Sequence, residues 1–195
     1  MDKNEKAVYL TFDDGPIPES TPFILKTLAE YGAHATFFMV GENVSKHPEL
    51  FRQIVEAGHQ VGNHTYNHWG GFKHSTKAYS ANTEKANRLI NAHLFRPPHG
   101  WMLWEQYFWL GRKYRIVMWD LVTRDYSKWL TAEDVLKHYL TPSGGKGFSL
   151  LPARLSGRWD RLGNPVQPKG TRRSSTVSGV SVAKTTYLSR RWIPT

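Results

Sequence analysis

Two carboxylates stand side by side at Asp13 and Asp14, where the apolar run Ala7-Val8-Tyr9-Leu10-Thr11-Phe12 stops. Like charges that close repel, so both stay ionised only where a cation, a metal or an arginine offsets them. His64 and His68 follow in the stretch Asn63-His64-Thr65-Tyr66-Asn67-His68. On a helical turn, residues i and i+4 share one face, so the two imidazoles could grip one cation. Two histidines and one carboxylate, from Asp13 or Asp14, make a zinc-type catalytic set with one position open for water. Arg96-Pro97-Pro98-His99-Gly100 adds a guanidinium on a stiff turn. Taken singly, each motif is bland. An isolated His-x3-His is most often a solvated pair, Asp-Asp-Gly-Pro a turn, and Arg-Pro-Pro a polyproline turn with a surface arginine. Together they point to one site, because each falls just after a predicted strand.

The elements that must position them alternate. Strands are predicted at 7–12, 33–40, 59–64, a short segment ending at Phe95, and 114–121. Helices are predicted at 20–31, 47–58, about 75–92, 101–111 and 131–140. Ser20 or Thr21 should cap the first helix, Pro22 sits in its first turn, and Gly32 ends it. Alternating strands and helices with short connections predict a parallel sheet covered by helices, as an α/β barrel or an open α/β sheet. In such barrels the chemistry gathers at the C-terminal strand ends.

The bulk composition narrows the chemistry. The chain has 195 residues, no cysteine, and 39% hydrophobic residues. That suits one domain, or one domain with a tail. Any metal must then sit on histidine or carboxylate rather than thiolate. No apolar run approaches the length of a membrane span, and the opening MDKNEKAVYL lacks the apolar segment of a signal peptide. The expected location is cytoplasmic as encoded, or outside the cytoplasm if a leader was removed.

Charge is unevenly distributed. Residues 1–140 hold 16 Lys and Arg against 15 Asp and Glu, whereas residues 141–195 hold 10 against the single acid Asp160. All nine histidines precede position 141. The tail has 26 Gly, Pro, Ser or Thr in 55 residues, and no helical periodicity. Its composition predicts irregular or disordered chain with only short strand-like fragments such as TVSGVSV.

The series Thr-Phe-Asp-Asp-Gly-Pro (11–16), His-Thr-x-x-His (64–68) and Arg-Pro-Pro-x-Gly (96–100) resembles the polysaccharide deacetylase family, the NodB-like carbohydrate esterases. The resemblance covers roughly residues 7–140. It implies a deformed (β/α) barrel and metal-dependent removal of N- or O-acetyl groups from sugars. It implies Asp13 as general base, and Asp14, His64 and His68 as ligands of a divalent metal, Zn²⁺ first and Co²⁺ or Ni²⁺ as alternatives. Arg96 is implied to orient the base, and the backbone N–H of His99 to donate to the oxyanion. The family usually has tyrosine at that position, where only the main chain is required.

Two later motifs depart from the family. Its Asp-rich strand end corresponds to Trp119-Asp120-Leu121-Val122-Thr123-Arg124-Asp125-Tyr126, with Asp125 in the catalytic position, Val122 replacing an aspartate and Tyr126 replacing a tryptophan. The Leu-x-His motif that supplies a general acid should follow residue 140, and no histidine stands there. The last histidine, His138, is expected on a helix surface. A missing general acid typically slows such reactions by about 10²–10⁴. These departures predict a barrel incomplete at its C-terminal end and an impaired enzyme. They also suggest that residues 141–195 come from an out-of-frame or recombined segment.

Three readings follow. In the first, residues 1–140 are a catalytic domain acting on an acetylated glycan or acetyl sugar, such as chitin oligomers, peptidoglycan or acetylated xylan. In the second, the chain is a catalytically degenerate relative that binds carbohydrate through Trp69, Trp101, Trp104 and Trp119. In the third, the basic tail binds nucleic acid. Its scattered arginines and few aromatics weigh against this. Oligomeric state is not legible.

Overall fold

The computed structural model describes residues 9–119, together with 121, 122, 129 and 180–183. The expected helix at 131–140, Asp125, His138 and most of the 141–195 tail lie outside the described residues.

Five strands run parallel and pair in chain order: β1 (Tyr9–Asp13), β2 (Ala35–Met39), β3 (Gln60–Asn63), β4 (Leu94–Phe95) and β5 (Arg115–Ile116). Helices α1 (Thr21–Glu30), α2 (Gly41–Lys46), α3 (Pro48–Glu56), α4 (Thr76–Ile90) and α5 (Trp104–Leu110) supply the connections. Two further short strands, β6 (Leu121–Val122) and β7 (Val180–Ala183), complete the sheet order β5-β4-β3-β2-β1-β7-β6. β7 lies antiparallel to both β1 and β6. The chain-ordered parallel strands confirm the α/β expectation. Among the described residues the ladder ends at β5 on one side and β6 on the other.

Strand alternation divides the buried side chains between two faces. Leu10 and Phe12 of β1 join Phe37 and Met39 of β2 in a core with Leu28, Val44, Ile54, Ala86 and Ile90 from the helices. Thr11 and Asp13 of β1 point the other way, where both meet the Arg96 side chain. Phe38 is on that inner face too, its ring 4.0 Å from the Arg96 guanidinium. β2 is therefore buried on both faces, as a strand in a helix-covered parallel sheet must be. A second cluster of Tyr79, Phe95, Leu110 and Tyr114 seats α4 and α5 against β4.

Most predicted elements form close to their expected bounds, and the differences have local causes. Ser20 occupies the cap position of α1 but makes no side-chain cap bond. Instead the Thr21 hydroxyl accepts from the Ile17 N–H at 2.8 Å. Gly32 ends α1 as expected, at φ 58°. Helix α2 was not anticipated, because six residues are too few to display an amphipathic period. The strand expected at 114–121 breaks after Ile116. The Val117 N–H still donates to the Phe95 carbonyl, but the carbonyls of Val117 and Met118 accept from the Arg96 guanidinium at 3.2 and 3.1 Å instead of extending the ladder.

Candidate active site

Each candidate side chain sits just past a strand end. β1 ends at Asp13, and Asp14 turns away in the left-handed region at φ 69°. The Asn43 side chain of α2 donates to the Asp14 carbonyl at 2.7 Å, fixing that turn. The ladder continues one residue beyond β3 and β4: the His64 N–H donates to Met39, and the Arg96 N–H to Asn63. Asp14, His64 and Arg96 are thereby delivered to the same end of the sheet.

His64 and His68 do come together, their ring centroids 5.1 Å apart. They do so differently from the expectation, which placed them on a helical turn. Residues 64–68 form a loop in which Thr65 and His68 both adopt positive φ, 64° and 55°. Those left-handed φ values are incompatible with an α-helical turn over 64–68. Two left-handed residues reverse the chain instead, aiming both rings at Asp14.

The three side chains converge. Asp14 Oδ1 lies 3.5 Å from His64 Nε2 and 3.1 Å from His68 Nε2, and the three ligand atoms all fall within 4.8 Å of one another. His64 Nδ1 is 2.7 Å from the Arg96 carbonyl, an acceptor, so that nitrogen carries the proton and donates. Neutral His64 therefore presents a bare Nε2 lone pair to a carboxylate oxygen. That oxygen is buried and accepts no hydrogen bond. A lone pair facing an unsatisfied carboxylate oxygen is a donor set that suits a cation.

Titration behaviour follows from the same geometry. Burial would raise the Asp14 pKa, but His68, His64 and His99 outweigh it and hold the carboxyl below its ordinary range. Burial depresses His64, more than the two aspartates can restore. Burial also works against a charged His68, yet the nearness of the Asp14 carboxylate and the field of both aspartates leave it raised.

Asp13 faces a different partner. Arg96, entirely buried, donates from Nη1 to Asp13 Oδ1 and to the Thr11 hydroxyl, at 2.7 and 2.8 Å. Burial lowers the Arg96 pKa, and Asp13 opposes that shift. The adjacent carboxylates are thus offset separately, Asp13 by a guanidinium and Asp14 by imidazoles. His99 sits at φ 60° in a single turn, Pro98–Gly100. Its ring meets that of His68 edge-on, centroids 4.8 Å apart. The N–H groups of Gly100 and Trp101 close the turn onto Pro97 and Pro98, while that of His99 lies outside this pattern.

Sequence reasoning missed Thr11, which steadies Arg96 from 85 residues away. It also missed Asn63 and Asn82, whose side-chain oxygens accept from the backbone of the 64–68 loop. A polar residue inside a buried strand was the available signal for Thr11. Of the tryptophans proposed to stack on sugars, Trp101 and Trp104 are 65% and 75% exposed, whereas Trp69 stacks on the His74 ring.

Comparisons with known proteins bear on the family and the fold. A family described as polysaccharide deacetylase matches residues 1–106. A peptidoglycan-N-acetylglucosamine deacetylase of Bacillus cereus is 36% identical over 144 residues, covering 70% of this chain and 52% of the relative. The chain thus spans about half the length of the Bacillus cereus relatives it matches. The solved peptidoglycan deacetylase PdaC of Bacillus subtilis superposes with a TM-score of 0.67 at 31% identity, covering 74% of this chain and 73% of that one. A pseudoenzyme of carbohydrate esterase family 4 from Bacillus anthracis superposes at 0.65 with 29% identity, covering 69% and 50%.

Proposed function

The chain belongs to the polysaccharide deacetylase family, and from that premise we propose that it hydrolyses the acetamide of an N-acetylated glycan. The observation that carries the proposal is the convergence of Asp14 Oδ1 with both Nε2 atoms, beside the separate Asp13–Arg96 pair. Asp14, His64 and His68 would hold one divalent cation, with Zn²⁺ the first candidate for such a donor set. When bound there, the cation would polarise the acetyl carbonyl and acidify a water.

The chain's own groups account for the remaining steps. Asp13, aimed by Arg96, removes the proton of the attacking water. The His99 N–H donates to the oxygen that becomes negative as the carbonyl carbon turns tetrahedral. The departing nitrogen needs a proton, and no histidine follows His138 to supply it. Asp13 is placed to return the proton it took. Residues 1–140 form the catalytic unit in this reading, and the substrate class follows relatives named for peptidoglycan and chitooligosaccharides. Among the described residues no helix is long and apolar enough to cross a membrane.

A second reading keeps the cation and the sugar but not the chemistry. The lack of any histidine after His138 favours it, as does the likeness to a pseudoenzyme. The two separate in one experiment: cation content by elemental analysis, with acetate release from N-acetylated chitooligosaccharides and from peptidoglycan. About one cation per chain with acetate released supports hydrolysis. A cation with sugar binding and no acetate assigns the second reading. No cation in folded protein sinks both. The origin of residues 141–195 is tested by resequencing codons 135–195: another frame encoding an apolar strand and Leu-x-His identifies a frameshifted tail, and three frames without it make the tail authentic.

A further inference from the structure

The loop that carries His64 and His68 has no ladder of its own, and its peptides are held from outside. On one side, the first N–H groups of α2 reach it: Gly41 donates to the Thr65 carbonyl and Glu42 to the Tyr66 carbonyl, at 3.0 and 2.9 Å. On the other side stands Asn82, in the interior of α4 and 7% exposed. Its Oδ1 accepts from both the Tyr66 and Asn67 N–H groups, at 2.8 and 3.2 Å. Its Nδ2 donates to Asn67 Oδ1 at 2.9 Å, which locks the amide in that orientation.

We propose that Asn82 is the positioning residue of this site: its amide takes two of the three main-chain hydrogens between the two histidines, those of Tyr66 and Asn67, fixing the histidines' separation and setting the affinity for a divalent cation. This rests on the cation reading of Asp14, His64 and His68 above. Thr65 is β-branched and His68 is bulky, and both are held at positive φ, which such residues adopt only when their surroundings impose it. Asn82 spans the two peptides that lie between those left-handed positions. Asparagine is a weak helix former, so its place in mid-helix gains nothing from propensity. Removing the acceptor leaves two N–H groups near the core without a partner and frees the loop to relax. Groups that orient metal ligands typically change affinity by about 10–100-fold when lost.

The test uses the full chain and Zn²⁺ alone, titrated against a chromophoric chelator, with thermal unfolding of the metal-free protein measured alongside. Asn82→Ala is expected to bind Zn²⁺ about 10–100-fold more weakly. Asn82→Asp retains an acceptor oxygen and should recover most of the loss. Ile90→Val, in the same helix but in the apolar core, should lower the unfolding temperature without moving the affinity. Amide exchange of metal-free protein should show Tyr66 and Asn67 N–H losing protection in Asn82→Ala. Wild-type affinity in Asn82→Ala, with only the unfolding temperature reduced, overturns the proposal. If Asn82→Ala does not fold, Asn82→Gln displaces the acceptor by one methylene: weakened binding in folded protein supports the assignment, and unchanged binding overturns it. Wild-type protein that binds no Zn²⁺ removes the cation reading itself, an outcome distinct from intact binding in the variants.

Discussion

Strand β3 carries a pair of histidines at each end, and the two pairs behave in opposite ways. At its start, His59 meets His34, which precedes β2, with ring centroids 5.8 Å apart. Past its finish, His64 meets His68 at 5.1 Å. Similar spacing does not give similar chemistry. His59 packs beside the Phe37 ring, its Nδ1 is buried without a partner, and burial, helped by His34, pushes its pKa down. At the other end Asp14 enters between the rings and raises His68. Among the described residues, Asp14, His64 and His68 are the one group that gathers three metal-ligating side chains. Two imidazoles near each other make a packing contact. A carboxylate aimed at both Nε2 atoms makes a candidate site, and β1 delivers it to only one end of the sheet.

Replacing that carboxylate gives the sharpest test. Asp14→Asn should abolish cation binding and lower kcat/KM on the order of 10³-fold, from several kcal/mol of lost stabilisation. His34→Ala and His59→Ala should leave the stoichiometry at about one cation per chain. Equilibrium dialysis reads both, and a stoichiometry that falls with His59→Ala would erase the distinction between the ends.

Asp13→Asn separates proton chemistry from cation chemistry within the active end. Its rate should fall about 10²–10⁴-fold while cation affinity stays close to wild type. Steady-state acetate release and chelator competition measure the two quantities, and a parallel loss of affinity would contradict the split between the adjacent carboxylates.

Arg96→Met asks what supports that end. The guanidinium is wholly buried and joins Thr11, Asp13, Val117 and Met118. Breaking a buried pair by removing one partner typically destabilises by about 3–5 kcal/mol. Urea unfolding should show a loss in this range, against less than about 1.5 kcal/mol for Ile54→Val in the helix-facing core.

The smallest effect is in pH, where His59 and His68 should pull in opposite directions, with His64, also depressed by burial, pulling with His59. His59 has a depressed folded pKa, so its contribution is complete above the unfolded value of about 6.5 and fades as pH falls through the folded one. His68 has a raised folded pKa, so its contribution is complete below about 6.5 and fades as pH rises through the folded one. Denaturation of metal-free protein between about pH 5 and 9 should lose part of its acid-side slope in His59→Asn, the part that His64 supplies remaining, and its alkaline-side slope in His68→Gln. Slopes that change on the same side for both variants would rule this out.

The sequence by itself determined the chemical inventory and its order along the chain. Asp13-Asp14, His64, His68 and Arg96 were legible because turn residues and strand ends bracket them. Helix α4 forms within the span expected at about 75–92, and Ser75 caps it, its hydroxyl accepting from the Ala78 N–H. The alternation of strands and helices was enough to set the parallel order and place the residues at one end. Tertiary structure decided the rest. Whether 64–68 would be helical depended on α2 and Asn82 holding the loop. The length of β5 depended on Arg96 drawing two carbonyls out of the ladder. The place of Val180–Ala183 beside β1 depended on which edge remained open to it. Each of these is a pairing between groups far apart in sequence. Local propensity and motif spacing carry no term for such pairs, because their free energy exists only once the sheet has brought them within hydrogen-bonding distance.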